Sequence, residues 1–118
     1  MMHTQYPRGA IFYVDLGEPD GTSRQAGVRP CILISSDINY YHSPMVNVAC
    51  LTSFYHKKKN LPVHLLLTAE ETGLARDSIC LCEQIQAVPK TALKEHVSTL
   101  PSETLNRVYD CIKIQFGM

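Results

Sequence analysis

Apolar residues in this chain gather in short runs with β-branched members, separated by clusters of Gly, Pro, Asp and Asn, the pattern of short strands joined by tight turns. Ala10-Ile11-Phe12-Tyr13-Val14-Asp15-Leu16 predicts the first strand, closed by the turn-forming Gly17-Glu18-Pro19-Asp20-Gly21, with residues 21–27 continuing as a polar loop. Pro30-Cys31-Ile32-Leu33-Ile34-Ser35 is the nearly continuous apolar run of a strand covered on both faces, and Asp37-Ile38-Asn39 closes it as a turn. Residues 45–52 and 61–67 predict a third and a fourth strand, the latter after the basic loop Lys57-Lys58-Lys59-Asn60, and residues 78–86 a fifth.

Helical signals are few. Thr68-Ala69-Glu70-Glu71 has the spacing of a capping box, and Gly73 follows closely enough to end the single turn it starts. Residues 89–96 predict another short helical piece. Beyond Pro101, the recurrence of Leu105, Val108, Ile112 and Phe116 at spacings of three and four is the apolar stripe of a terminal helix that packs on the barrel or on a partner. Five or more strands with little alternation between strand and helix predict a mainly β fold, a small antiparallel half-open barrel of the SH3-like kind with a C-terminal helix. A chain of 118 residues has room for one domain spanning 1–118, with residues 1–7 expected to be flexible.

Composition narrows the setting. Eleven Lys plus Arg balance eleven Asp plus Glu, so no global field draws a polyanion and any nucleic-acid site must be a local patch. No stretch approaches the ~20 apolar residues of a spanning helix and the first residues carry no apolar leader, so a soluble chain with no membrane partner is expected. Cys31, Cys50, Cys80, Cys82 and Cys111 are odd in number and sit in apolar contexts, which suits buried, reduced thiols and a cytoplasmic location. Cys80 and Cys82, two apart on a strand, point to one face as core filler.

The five histidines lack paired spacing, Cys80-x-Cys82 is not a zinc knuckle, and the glycines form no phosphate-cradling frame, so neither a metal nor a cofactor is expected. Arg29, in Gly27-Val28-Arg29-Pro30 at the mouth of a buried strand, is placed to hold a phosphate bidentately, although pinning the loop through a carboxylate serves equally well for that residue type. Thr52, in Leu51-Thr52-Ser53, puts a hydroxyl at the strand end, where a plain structural role is the usual one. Glu83-Gln84 are awkward in a core unless paired, so they either complete a buried network or face a site. The cationic stretch His56-Lys57-Lys58-Lys59, with His64 beyond it, either steers a polyanion or is simply a solvated loop.

Taken in order, Arg8-Gly9, Gly27-Val28-Arg29-Pro30, Ser36-Asp37-Ile38, Ser43-Pro44, Leu51-Thr52-Ser53, Leu61-Pro62-Val63-His64, Glu71-Thr72-Gly73-Leu74, Asp77-Ser78 and Cys82-Glu83-Gln84-Ile85 resemble the MazF/PemK toxin family, from about Arg8 to the end. That resemblance implies a barrel of the CcdB/MazF type, a bacterial cytoplasmic homodimer, and an endoribonuclease that cuts single-stranded RNA at short sequence motifs without a metal. It implies a cognate antitoxin whose disordered tail blocks the RNA groove, and DNA binding by the toxin–antitoxin complex. By position, Arg29 and Thr52 match the family's catalytic pair, and His64 and Gln84 match positions near the RNA groove. Residues 21–25 match the mobile loop that covers the groove, making Ser23 and Gln25 RNA contacts, together with Ser53, Lys57 and Lys58 at the rim. The chain departs from the family at Ala10, where relatives commonly carry Asp or Glu, and at Leu81, where one branch carries Arg; the second departure disfavours that branch's catalytic set.

Metal-free cleavage of this kind uses the substrate's own 2′-OH as nucleophile, spares DNA, and yields a 2′,3′-cyclic phosphate and a 5′-OH. Arg29 is then expected to stabilise charge on the phosphoryl oxygens with Thr52 as a second donor, while Glu83 and His64 are both open as the acid or base. Tyr40, Tyr41, Phe54 and Tyr55 lie in expected loops, where they either stack on bases or fill the dimer interface or core. Two other readings share the fold: a CcdB-like poison of DNA gyrase, and a catalytically inactive barrel that only binds its antitoxin.

Overall fold

The computed structural model describes residues 8–53 and 61–118; residues 1–7, Phe54, Tyr55 and the basic stretch 56–59 with Lys57 and Lys58 lie outside the described residues. Six strands form one sheet, β1 (Ala10–Asp15), β2 (Val28–Leu33), β3 (Met45–Ser53), β4 (His64–Leu67), β5 (Ser78–Pro89) and β6 (Leu93–Thr99). Their spatial order is β4-β5-β3-β2-β1-β6 and all five pairings are antiparallel. Three α-helices accompany them, α1 (Asp37–His42), α2 (Ala69–Thr72) and α3 (Ser102–Phe116).

The sheet curls so that both of its faces are dry. On one face Ile11, Ile32, Ala49, Leu51, Cys80 and Cys82 pack under α3 through Leu105 and Val108. On the other, Phe12, Val14, Cys31, Leu33, Val48 and Cys50 meet Val88 and Ala92. Alternate residues of each central strand thus enter different cores, which is why residues 31–33 are all buried and why this run is apolar without alternation. The thiols of Cys80 and Cys82 stand 3.8 Å apart in the α3-side core, on one face as their spacing requires.

Two local expectations are revised. Residues 37–39 open α1 instead of a turn: Ser36 Oγ accepts the Asn39 N–H at 3.1 Å, and a short side-chain oxygen that can close a turn can equally cap a helix. This puts Tyr40 and Tyr41 on a helix, with Tyr40 packed against the core and beneath the Lys90 ammonium, 4.8 Å from its ring centroid. Residues 89–96 are helical only as a 3-10 turn over Lys90–Ala92; Leu93–Thr99 is β6, which covers the open edge of β1 through Val14↔Leu93, Phe12↔His96, Ile11↔Ser98 and Ala10↔Thr99. A free edge of β1 offers a ladder of unpaired backbone groups, and satisfying it outweighs the weak local preference of that segment. In α3 the apolar stripe packs on the sheet at Leu105 and Val108, while Phe116, at the helix end beyond the sheet, is 60% exposed.

The capping box is as the spacing predicts: Thr68 Oγ1 accepts the Glu71 N–H at 3.1 Å, Glu71 Oε1 accepts the Thr68 N–H at 3.0 Å, and Gly73 ends α2 at φ +77°. Glu71 Oε2 also meets Arg107 Nη1 of α3 at 2.8 Å, tying the β4–β5 connection to the terminal helix. The Thr68 N–H, and further the Arg107 charge, hold the Glu71 carboxyl below its ordinary value of 4.5. A carboxyl depressed in the folded state stabilises the fold above its unfolded pKa and loses that contribution as pH falls through the folded value. Glu71→Gln is therefore expected to lower Tm at neutral pH and to flatten the fall of Tm between about pH 5 and 3; thermal denaturation across that range checks this, and parallel wild-type and variant curves would refute it.

Candidate functional site

Arg29 and Thr52 are brought together by strand register. In the antiparallel β2–β3 pair, Cys31 stands opposite Cys50. Arg29 is two residues before Cys31 and Thr52 two residues after Cys50, so both lie beyond the last paired residues, level with one another and on one face. The β2–β3 pairing ends there, at an open hollow of about 230 Å³ lined by Tyr13, Arg29, Thr52, Ser53, Arg76 and Ser78, among others. Arg29 is exposed, and its Nε donates to the Ala26 carbonyl at 3.0 Å, which orients the guanidinium while leaving both terminal nitrogens without a partner among the described residues. Arg29 thus combines the two roles its sequence left open: Nε pins the loop, through a carbonyl and not a carboxylate, and the fork beyond it is available to an anion.

Beneath this pair Cys31 and Cys50 stand opposite each other on β2 and β3. The neighbouring Cys50 thiol and burial together push the Cys31 thiol up, so it stays protonated, and its Sγ donates to the Arg29 carbonyl at 3.6 Å. The neighbouring Cys31 and the charges of Arg24 and Arg29 pull the Cys50 thiol down, and Gln86 Nε2 approaches its Sγ at 3.8 Å.

Glu83, Gln84 and His64 form a second cluster, created by an irregularity in β5. Leu81 pairs with Cys50 and Ile85 with Ala49, so Cys82, Glu83 and Gln84 have no partners on β3 and bulge from the ladder. The Glu83 carboxylate reaches His64 of β4, Oε2 to Nε2 at 2.8 Å, while His64 Nδ1 accepts the Leu61 N–H at 3.3 Å. An Nδ1 that accepts leaves the hydrogen on Nε2, so the imidazole is the neutral tautomer donating to Glu83, with both nitrogens engaged. Glu83 Oε1 is buried with no partner. Neither His64 nor Glu83 lines the hollow of Arg29 and Thr52.

The β1–β2 loop is held over β5 by two amides. Gln84 Oε1 accepts the Gln25 N–H at 3.1 Å, Gln84 Nε2 donates to the Ser23 carbonyl at 2.9 Å, and Gln86 Nε2 donates to the Gln25 carbonyl at 3.0 Å. These bonds use the backbone of Ser23 and Gln25 and leave their side chains unengaged by the glutamines. Arg24 between them donates from Nη2 to the Leu16 carbonyl at 3.1 Å.

Ser53 lines the hollow with the pair, as its place after Thr52 predicts. Sequence reasoning missed Tyr13, Arg76 and Gln86. Gln86 had a signal, since it repeats the amide of Gln84 two residues on along the same strand; Tyr13 and Arg76 had none, because they reach the hollow from β1 and from the turn before β5.

Residues 7–116 match the family model described as PemK-like, MazF-like toxin of type II toxin-antitoxin system. The chain is 35% identical over 111 residues to the endoribonuclease EndoA of Bacillus subtilis strain 168, covering 94% of each chain. It is 34% identical over 111 residues to the endoribonuclease MazF of Staphylococcus saprophyticus, covering 94% of this chain and 91% of that one. Among solved structures it resembles MazF of Deinococcus radiodurans, with TM-score 0.76, 18% identity and 95% and 96% coverage of this chain and that one. It also resembles a mycobacterial endoribonuclease in complex with its cognate antitoxin, with TM-score 0.75, 18% identity and 95% coverage of each chain.

The amide clasp has a direct readout. Gln84→Ala removes the acceptor of the Gln25 N–H, and amide hydrogen exchange at Gln25 is expected to quicken by about five- to tenfold, a hydrogen bond of about 1–1.4 kcal/mol being lost. Unchanged exchange at Gln25 would mean that the loop is held by something else.

Proposed function

This chain belongs to the PemK-like, MazF-like toxins of type II toxin–antitoxin systems and is an endoribonuclease, and from that premise we propose that it cuts single-stranded RNA, metal-independently, through attack of the ribose 2′-OH on the adjacent phosphorus. The P–O5′ bond breaks as the O2′–P bond forms, leaving a 2′,3′-cyclic phosphate and a 5′-OH. The observation that carries this reading is the placement of Arg29 and Thr52 level with each other across β2 and β3 at one open hollow.

Negative charge grows on the non-bridging phosphoryl oxygens in the transition state. Arg29, oriented by Ala26, offers its terminal nitrogens there as a permanently charged fork, and the Thr52 hydroxyl is the second donor. Both acid–base candidates stay open: His64 has both nitrogens engaged, and the Glu83 oxygen without a partner is buried, so either acts only when the His64–Glu83 pair opens to the substrate. For Glu83 to act on the 2′-OH, the substrate must extend from the hollow towards β5, beneath the loop clasped by Gln84 and Gln86. Ser23, Gln25, Ser53 and Gln84 then contact bases and backbone along this path, with Lys57 and Lys58 contributing charge.

The active species in this reading is a homodimer in the bacterial cytoplasm, neutralised by a cognate antitoxin that competes for the RNA groove, the resulting complex binding DNA. The gyrase-poison and inert-barrel readings are not favoured: both curated relatives are named endoribonucleases, and the Arg29–Thr52 pair is present and aligned.

Purified protein incubated in EDTA with mixed-sequence RNA and the matching DNA tests the proposal. RNA alone is expected to be cut, with cyclic-phosphate ends, and Arg29→Ala and Thr52→Ala are each expected to lose at least about 100-fold in kcat, the scale for removing one oxyanion donor. Cutting that requires a divalent cation, or full activity in either variant, would refute the mechanism.

A further inference from the structure

Arg76 is the one arginine whose guanidinium has no partner among the described residues. Arg8 lies over the Tyr109 ring, Arg24 donates to Leu16, Arg29 donates to Ala26 and Arg107 pairs with Glu71. The acidic neighbour that could have neutralised it, Asp77, is turned away to accept the Ala69 N–H at 2.8 Å. The Asp77 carboxylate keeps its charge but is held on α2, so it makes no ion pair with the exposed Arg76 guanidinium, whose fork still faces the hollow.

The backbone carrying Arg76 is firmly held. Thr72 Oγ1 accepts the Leu74 N–H at 3.1 Å, the buried Ser78 donates its hydroxyl to the Arg76 carbonyl at 3.3 Å, and Asp77 is anchored to α2 as described. The side chain is therefore presented from a fixed turn, and it lines the same hollow as Arg29, Thr52 and Ser53.

Its place relative to the reacting pair separates its task from theirs. Thr52 pairs with Ile79 and Ser53 with Ser78, so Arg76, three positions before Ile79, lies past the end of the strand pairing, displaced along the strand direction from Thr52. We propose that Arg76 is a substrate-positioning residue that holds the RNA phosphate next to the scissile one. This rests on Arg29 and Thr52 being the reacting site. A neighbouring phosphodiester carries the same charge before and during the reaction, so its contact with Arg76 is equally strong in the ground and transition states and acts on KM. The planar fork also makes lysine an incomplete substitute.

The test uses an oligoribonucleotide that is cut and the same sequence with a single 2′-deoxy residue at the cut, which is bound but not cleaved. Arg76→Ala is expected to raise KM, and the Kd for the uncut strand by fluorescence anisotropy, by about tenfold, with most of the loss in kcat/KM carried by KM. The slope of log Kd against log salt is expected to fall by about 0.7, one phosphate contact on a single strand, with Arg76→Lys in between. Thermal melts of both variants matching the wild type keep the comparison to binding. A wild type that cuts RNA while Arg76→Ala has unchanged KM, Kd and salt slope, or loses kcat alone, overturns the role of Arg76 without touching the reacting site; a wild type that neither cuts nor binds RNA overturns both.

Discussion

The register of β2 against β3, with Cys31 opposite Cys50, is the constraint on which the site depends. Side chains of a strand alternate between faces, so a slip of one residue would send Arg29 and Thr52 to opposite sides of the sheet and exchange every core residue of β2 between its two interiors. Burial of residues 31–33 and 48–51 on both sides prevents that slip. Arg29 and Thr52 at the strand ends are held in place by the apolar packing of the same strands, and Cys31 and Cys50, two residues inward from them, belong to that core.

Polar side chains that the core could not accept gather where β5 leaves its ladder. The break in pairing between Ala49 and Cys50 lifts Glu83 and Gln84 out of the β3–β5 ladder. Once out, they find partners in His64 and in the backbone of the β1–β2 loop. Had β5 paired regularly through these positions, one of the two would have pointed into an apolar interior, where an unpaired carboxylate or amide is costly. The same irregularity therefore relieves a packing problem and connects the loop over the site to the strand beneath it.

The charge distribution follows the same logic. A chain with equal numbers of acidic and basic residues has no long-range pull on RNA, and the described cations are mostly consumed by internal partners. What remains at the hollow is the tethered fork of Arg29 and the unpaired Arg76. Any polyanion that binds at the hollow therefore meets a few oriented guanidiniums and not a broad positive face.

By itself the sequence determined the strands from Ala10 to Leu67, the start of β5, the capped turn at Thr68, the terminal helix and the family to which the chain belongs, because local periodicity and turn chemistry carry that information. It also singled out Arg29 and Thr52, by the resemblance of the segments around them to that family. Only the tertiary structure decided that residues 93–99 are a strand, since their conformation is dictated by the open edge of β1 far away in sequence. Only it placed Tyr13 and Arg76 at the hollow, drew His64 onto Glu83 and laid the loop on Gln84 and Gln86, because each of these meetings joins elements separated by tens of residues and depends on strand order and register, which no local pattern records.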